Sequence, residues 1–325
     1  MNKNLFYSAL LSIATTLVAL GAAELVLRMK NSSMKNYDIE NWRYAKELKV
    51  NSLDPVLGRE HAKNASALLQ SVEIRLNDWG LRGGPVRTPP PKRRILFLGG
   101  SIVLGWGVPE QDTISVRLQQ LLQGEGEDVE VLNGGVANYN AERYVERFFT
   151  QLAGLNPSDV VVQYFLRDAE KLDPAGDNIL LRNSEFALTT WIALSRLANR
   201  SGEQNPVDHY RDVYRENQPS YIEMKEKLKM LADYAHSHNI RLFLAMTPDV
   251  HDLPNYHFGF VHDRMKAIAG ELGMRYTDFL PVLEKHSPEE LWTIPGDLHP
   301  NAIAHRLMAD ALLPVIRLPS GAATR

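Results

Sequence analysis

Three residues of this 325-residue chain have the types needed for nucleophilic acyl transfer: Ser101, His299 and Asp297. A serine hydroxyl is a poor nucleophile at neutral pH unless a neighbouring base takes its proton. His299 is the expected base. Asp297 is the nearest carboxylate able to hold the imidazole in the accepting tautomer, and such a set is recognised by geometry, whatever its order in the chain. An Asp-x-His tripeptide alone is weak, so the surroundings decide. Ser101 follows Arg94-Ile-Leu-Phe-Leu-Gly-Gly100, a short apolar run broken by two glycines, with Gly105 and Gly107 just beyond. His299 precedes Pro300, Asn301 and the helical pattern of Ala302, Ala304, His305, Leu307, Met308 and Ala309. A serine at a strand end and a histidine at a loop-to-helix junction occupy the places where open α/β sheets bind ligands.

The elements that must position them alternate. Strand patterns are expected at Ile95–Leu98, Val129–Leu132, Asp159–Leu166, Arg241–Met246 and Met274–Thr277. Helix patterns fall at Thr113–Leu122, Ala141–Leu155, Tyr221–His236, Val261–Leu272 and Ala302–Val315. This order predicts a parallel sheet covered by helices on both faces. Residues 170–218 interrupt the rhythm as a helical insertion, read as a lid. Residues 31–93 are polar and irregular and end in Arg87-Thr-Pro-Pro-Pro-Lys-Arg-Arg94, which can neither continue a helix nor pair centrally in a sheet. Within them, Asn77-Asp-Trp-Gly-Leu-Arg-Gly-Gly84 has turn chemistry and is read as a loop packed on the main domain.

Composition narrows the function classes. A net charge of −3 with no long basic run argues against nucleic acid as a partner. The absence of cysteine excludes disulfides and thiolate metal sites. His251, His257 and His262 match no defensible metal-ligand spacing, so neither metal nor cofactor is expected. Residues 5–23 carry no charge over about the length that crosses a bilayer. The leading expectation is an uncleaved N-terminal membrane anchor over residues 1–30, with the remainder periplasmic or extracellular. A cleaved signal ending near Gly21-Ala-Ala23 and a buried soluble helix are the competing readings. Arg28, Lys30 and Lys35 leave the orientation unassigned by the positive-inside rule.

From Arg94 to about residue 316 the chain resembles the SGNH (GDSL-like) hydrolases. Gly99-Gly100-Ser101 corresponds to the first block of that family. Gly135, within Val131-Leu-Asn-Gly-Gly-Val-Ala-Asn-Tyr-Asn140, corresponds to the second. Phe165-Leu-Arg-Asp168 corresponds to the third, and Asp297-Leu-His299-Pro-Asn301 to the fifth. The resemblance implies a three-layer α/β/α flavodoxin-like sandwich with a five-stranded parallel sheet over residues 94–317. It also implies attack by Ser101 on an acyl ester, with an oxyanion hole of Ser101, Gly135 and residue 167. O-acetyl groups on envelope or exopolysaccharide glycans are the expected substrates. An O-acetyltransferase with the same triad and a non-catalytic glycan-binding protein are the alternatives. The chain departs from the pattern at Gly100, where the family has an acid, and in the single residue between Asp297 and His299. Its third departure is Arg167, where the family has an oxyanion-hole asparagine. Arg167 is expected either to donate to the oxyanion itself or to pair with Asp168 or Glu170, in which case Asn138 or Asn140 supplies the donor. Trp106, Tyr139 and Tyr164 adjoin these blocks and suit either sugar stacking or core packing.

Overall fold

The computed structural model describes residues 3–31, 37–172, 178–199, 205–251, 253–295 and 299–317. The chain divides into two compact units, Met1–Lys46 with Ala175–Glu203 and Glu47–Pro174 with Gln204–Arg325.

The smaller unit contains helix α1 (Lys3–Asn31) and a helix at Tyr37–Glu47. Among the described residues, α1 is long and apolar enough over Phe6–Asn31 to cross a membrane.

In the larger unit, five strands form one sheet: β1 (Arg93–Leu98), β2 (Val129–Asn133), β3 (Asp159–Phe165), β4 (Arg241–Thr247) and β5 (Arg275–Asp278). All neighbours are parallel and the order is β2-β1-β3-β4-β5. The order reverses between β1 and β3, so the loops leaving their carboxyl ends diverge and open a crevice there. Helices α2 (Ser101–Leu104), α3 (Ile114–Gly124) and α4 (Ala141–Arg147) precede β3. The expected helix at 141–155 is continuous in path but changes pitch, with a wider turn at Phe148–Leu152 and a tighter one at Ala153–Leu155. Asn156 ends it in the left-handed region at φ 50°. The altered pitch lets the adjacent Phe148 and Phe149 both meet Tyr234 edge-on at 5.4 Å.

The stretch 170–218 is divided between the units. A turn at Ile179–Asn183 and α5 (Glu185–Asn199) belong to the smaller one. A helix at Pro206–Val213 belongs to the larger, followed by α6 (Pro219–Ser237), α7 (Gly259–Glu271) and α8 (Ala302–Arg317).

The strands alternate between two apolar layers, as a period of two requires. Ile95, Phe97, Val161, Phe243 and Ala245 pack with Ile114, Leu118 and Leu122 of α3 and Met308 and Leu312 of α8. Leu96, Leu98, Val160, Val162, Leu244 and Met246 pack on the other side with Tyr144, Leu228, Leu231 and Met265. Each such fully buried aliphatic side chain stabilises by about 1.5–3 kcal/mol. The result is the three-layer α/β/α sandwich. Residues 49–75, within the stretch expected to be irregular, form two antiparallel hairpins, Lys49–Asn51 with Arg59–His61 and Ser66–Leu69 with Val72–Arg75.

Charge is buried at the amino ends of the strands, away from the crevice. Asp159, fully buried, accepts from Arg93 at 2.7 Å and from Arg241 at 2.5 and 2.9 Å. Breaking a buried pair costs about 3–5 kcal/mol, less where the partners stay partly solvated as these arginines do. Asp159→Asn is therefore expected to destabilise the larger unit by about 2–3 kcal/mol in urea denaturation. An unchanged midpoint would show that the triad only decorates the sheet.

Candidate active site

Ser101 begins α2, separated from the end of β1 by Gly99 and Gly100. The intervening turn requires glycine at position 99. Its φ is +159°, and a Cβ there would stand 2.5 Å from Val103 Cγ2 and 2.8 Å from the carbonyl oxygen of Gln163 on β3. α2 is a single turn, and its terminal carbonyls have no partner within the helix. Arg82 supplies one. Its buried guanidinium donates to the carbonyls of Leu104 at 2.6 Å, Gly105 at 2.7 Å and Val108 at 2.8 Å. Burial lowers the Arg82 pKa to about 10, so the group keeps its charge at neutral pH. Asn133, at the end of β2, braces the same turn by donating to the Val103 carbonyl at 2.7 Å.

His299 arrives from the other side. Its carbonyl accepts from the Thr293 amide at 3.1 Å. Asn301 donates its side-chain amide to the carbonyls of Glu290 and Trp292, and its side-chain oxygen caps α8 through Ile303 and Ala304. The two loops meet where Gly107 faces the Thr293 side chain, 3.1 Å from where a Cβ would lie. There His299 Nε2 stands 2.7 Å from Ser101 Oγ. His299 is almost buried, and Trp106 lies against it with ring centroids 6.1 Å apart. The pair spans 198 positions of sequence. With Nε2 accepting from the serine hydroxyl, Nδ1 carries the ring proton. Asp297, the expected acceptor of the hydrogen bond from that N–H, lies outside the described residues.

A parallel sheet in this strand order, with a serine after the first strand hydrogen-bonded to a histidine ahead of the last helix, decides the fold type. It is a three-layer α/β/α fold on a parallel sheet, the arrangement that the resemblance to the SGNH hydrolases implies. Comparison with solved structures returns TesA, with 17% identity and TM-score 0.43, covering 69% of this chain and 98% of that one. It also returns the esterase EstA from Pseudoalteromonas, with 18% identity and TM-score 0.43, covering 70% and 97%. The acetylxylan esterase Axe2 from Geobacillus stearothermophilus has 16% identity and TM-score 0.46, covering 70% and 95%. No protein-family model and no curated protein matches the chain.

Within this fold, two residues assigned to the oxyanion hole from sequence make other hydrogen bonds. The Gly135 N–H donates to the Asn133 side-chain oxygen at 3.0 Å, two residues back. A Cβ at Gly135 would lie 2.1 Å from the Leu104 nitrogen, so this glycine is needed to let the loop pass against α2. Between Val129 and Ala141 the exposed residue is Asn138, held at φ 62°. Its neighbour Tyr139 brings a carbonyl to 3.2 Å from where a Cβ of Gly100 would lie. Arg167, half-exposed, turns its Nε to Glu170 at 3.3 Å. Asn140 caps α4 through Arg143 and donates to the Glu170 carbonyl, which commits its side chain to structure.

The aromatics beside the blocks are core residues: Trp106, Tyr139 and Tyr164 are all at most 4% exposed. Tyr139 donates to the Arg59 carbonyl, and the Tyr164 and Tyr214 hydroxyls meet at 2.8 Å. His262 is also enclosed, between Asp278 at 2.8 Å and the Tyr256 hydroxyl at 2.6 Å.

Missed from the sequence is a cleft of about 730 Å³ whose wall includes Phe165, Arg167, Tyr210, His251, His257 and Phe258. Ser101 and His299 are not in its wall, but chain connections bring the wall to them. Phe165 lies two residues, about 7 Å, beyond the Gln163 carbonyl that abuts Gly99. His251 packs on Trp292 at 5.5 Å, and Trp292 bridges to Pro300 next to His299.

Asp168 is buried next to Arg167 of this wall. Burial pushes its carboxyl up to about 8, against the opposing pull of the Phe165 N–H it accepts at 3.1 Å. An unfolded aspartate releases its proton near 3.8, whereas the folded one keeps it to about 8. The folded state thus holds the extra proton, and stability from this group falls as pH rises between those values. Asp168→Asn should remove a slope of up to about 1.4 kcal/mol per pH unit from the pH 5–8 denaturation series. An unaltered slope in the variant would contradict the assignment.

Proposed function

We propose that the chain is a serine esterase that removes acyl groups, with O-acetyl the leading choice, from hydroxyls of an envelope or extracellular glycan. The single observation that carries this reading is the 2.7 Å hydrogen bond between His299 Nε2 and Ser101 Oγ. In the proposed cycle, Ser101 Oγ attacks the ester carbonyl carbon as His299 takes the hydroxyl proton. The tetrahedral oxyanion is met by the backbone N–H of Ser101, with a second donor drawn from the loop that follows β2 and reaches Gly100. His299 then returns its proton to the departing alcohol oxygen. Water, activated by the same imidazole, cleaves the acyl-serine and releases the acid. Asp297 is assigned the role of holding Nδ1–H and stabilising the imidazolium.

Arg167, with Glu170 as its partner, is assigned to the cleft wall rather than the oxyanion hole. The cleft's aromatic faces and its Arg167, Asn205, Asp249 and His251 polar groups suit an alcohol that is itself a hydroxyl-bearing ring. The apolar α1 supports an anchored enzyme, with the catalytic unit on the outer side of the membrane.

The test is acetate release from an O-acetylated oligosaccharide and from an aryl acetate. Wild type is expected to turn over both, and Ser101→Ala and His299→Ala each to lose about 10³-fold or more with circular dichroism unchanged. Absence of turnover in the wild type, together with no labelling of Ser101 by a serine-directed phosphonate, would sink the proposal. Transfer of acetyl to an added glycan faster than acetate appears would replace hydrolysis by acyl transfer.

A further inference from the structure

The smaller unit holds a seam that an N-terminal apolar helix does not need merely to span a membrane. Near the end of α1, Glu24 accepts from the backbone N–H groups of Glu185 and Phe186, both at 3.0 Å, and from the Ser184 hydroxyl at 2.8 Å. Ser184 in turn accepts from the Ala187 N–H at 3.1 Å. Together they satisfy the orphan donors of the first turn of α5, with the negative charge at the favoured helix end. Arg28 of α1 bonds Glu24 at 2.7 Å and the Asn183 carbonyl at 2.8 Å. Asn31 donates to Glu185 at 2.8 Å. α1 is covered only at Ala23, Glu24, Leu27 and Asn31, its last two turns, while its earlier described side chains are exposed. α5 therefore touches α1 at the end of the apolar span and then departs from it.

The outer face of α5 matches α1 in chemistry. Among its described side chains, those exposed are Phe186, Thr190, Trp191, Ala193, Leu194 and Leu197. Their spacing of i, i+4, i+7, i+8 and i+11, with Trp191 at the margin, is one helical stripe. Trp191, Leu194 and Leu197 are 53%, 57% and 61% exposed. Leu180, in the turn before α5, is 62% exposed. The one hydroxyl on the stripe, of Thr190, is turned back to the Phe186 carbonyl at 2.7 Å. Thr15 and Thr16 of α1 do the same to Leu11 and Ser12 at 2.8 Å. Concealing a hydroxyl inside its own helix is what hydrocarbon, unlike water, demands. At 15 residues α5 is about 22 Å long, too short to span. Its apolar face and marginal tryptophan suit the headgroup–acyl boundary.

We propose that α5 lies in the bilayer interface beside the end of α1, with Phe186, Trp191, Leu194 and Leu197 in the lipid. The smaller unit would then grip the membrane at two places, a span and an in-plane helix joined by the Glu24–Arg28 seam. This rests on the membrane-anchor reading of α1, and the experiment separates the two.

Because the chain has no cysteine, single exposed cysteines take an environment-sensitive fluorophore cleanly. Full-length Leu194→Cys, Leu197→Cys, Val18→Cys and Lys285→Cys proteins would be labelled and reconstituted into phosphatidylcholine–phosphatidylglycerol vesicles. The acyl chains would carry bromine near the headgroup or near the chain end. Labels at Leu194 and Leu197 are expected to be quenched at least about twofold by headgroup-proximal bromine, the depth of an interfacial helix. Val18 should respond to chain-end bromine and Lys285 to neither. Quenching at Val18 with none at Leu194 and Leu197 would overturn the α5 proposal and leave the anchor standing. Quenching at Leu194 and Leu197 without Val18 would uphold the in-plane helix and remove the span. No quenching at any position would remove both. A blue-shifted but unquenched α5 label would mean that protein covers the face, and would overturn the proposal.

Discussion

The buried guanidinium of Arg82 is the constraint on which the site depends. A one-turn helix cannot satisfy its own carbonyls, and α2, which carries Ser101 at its start, is one turn long. Each buried carbonyl left without a donor costs about 1–3 kcal/mol, so without Arg82 the turn would reopen toward water. Three short hydrogen bonds from one planar group tie the end of α2, at Leu104, to the turn that follows it, at Gly105 and Val108. Ser101, at the start of α2, meets a histidine delivered by an unrelated loop. Asn133 adds a second brace from β2, and the same side chain holds Gly135 where the loop must pass α2.

The sheet separates its duties by end. At the amino ends, Asp159 between Arg93 and Arg241, and Glu130 with Arg94 at 2.8 Å, neutralise charge within a rigid base. At the carboxyl ends, the crevice between β1 and β3 is lined by groups whose polar atoms are aimed rather than merely neutralised. The Ser101–His299 pair is held by loops stapled at several points, through Thr293, Asn301 and Trp292. The pair is therefore preorganised before any ligand arrives, which is the condition for a hydroxyl to act as a nucleophile at neutral pH.

How much of this was legible in the sequence depends on which interactions are local. The β-branched and apolar runs at Arg94–Leu98 and Val160–Val162 declare their strands because each strand is buried on both faces. The histidine-before-helix pattern at His299 reports its position because Asn301 is a local cap. Arg82 was invisible, since one arginine in a polar, glycine-rich loop gives no sign that it will be buried against α2. Gly135 is legible only through the resemblance, and no local signal shows that Asn133 takes its N–H. Arg167 allowed two readings, and its pairing with Glu170 follows from spacing along a single turn. Residues 170–218 read as a lid because they interrupt the strand–helix rhythm, and an interruption does not say what the segment meets.

Arg82 positions Ser101 through the carbonyls at the end of α2. This positioning is tested most directly by the rate at which a serine-directed phosphonate labels Ser101, read by intact mass in wild type, Arg82→Lys and Arg82→Met. Lysine keeps the charge but not the three-carbonyl fork. Both variants are expected to label at least about tenfold more slowly per folded molecule, since small displacements of a reacting group are that costly. Asp159→Asn, destabilised far from the pocket, should label at the wild-type rate once corrected for folded fraction. Wild-type labelling in folded Arg82→Met would contradict this role for Arg82.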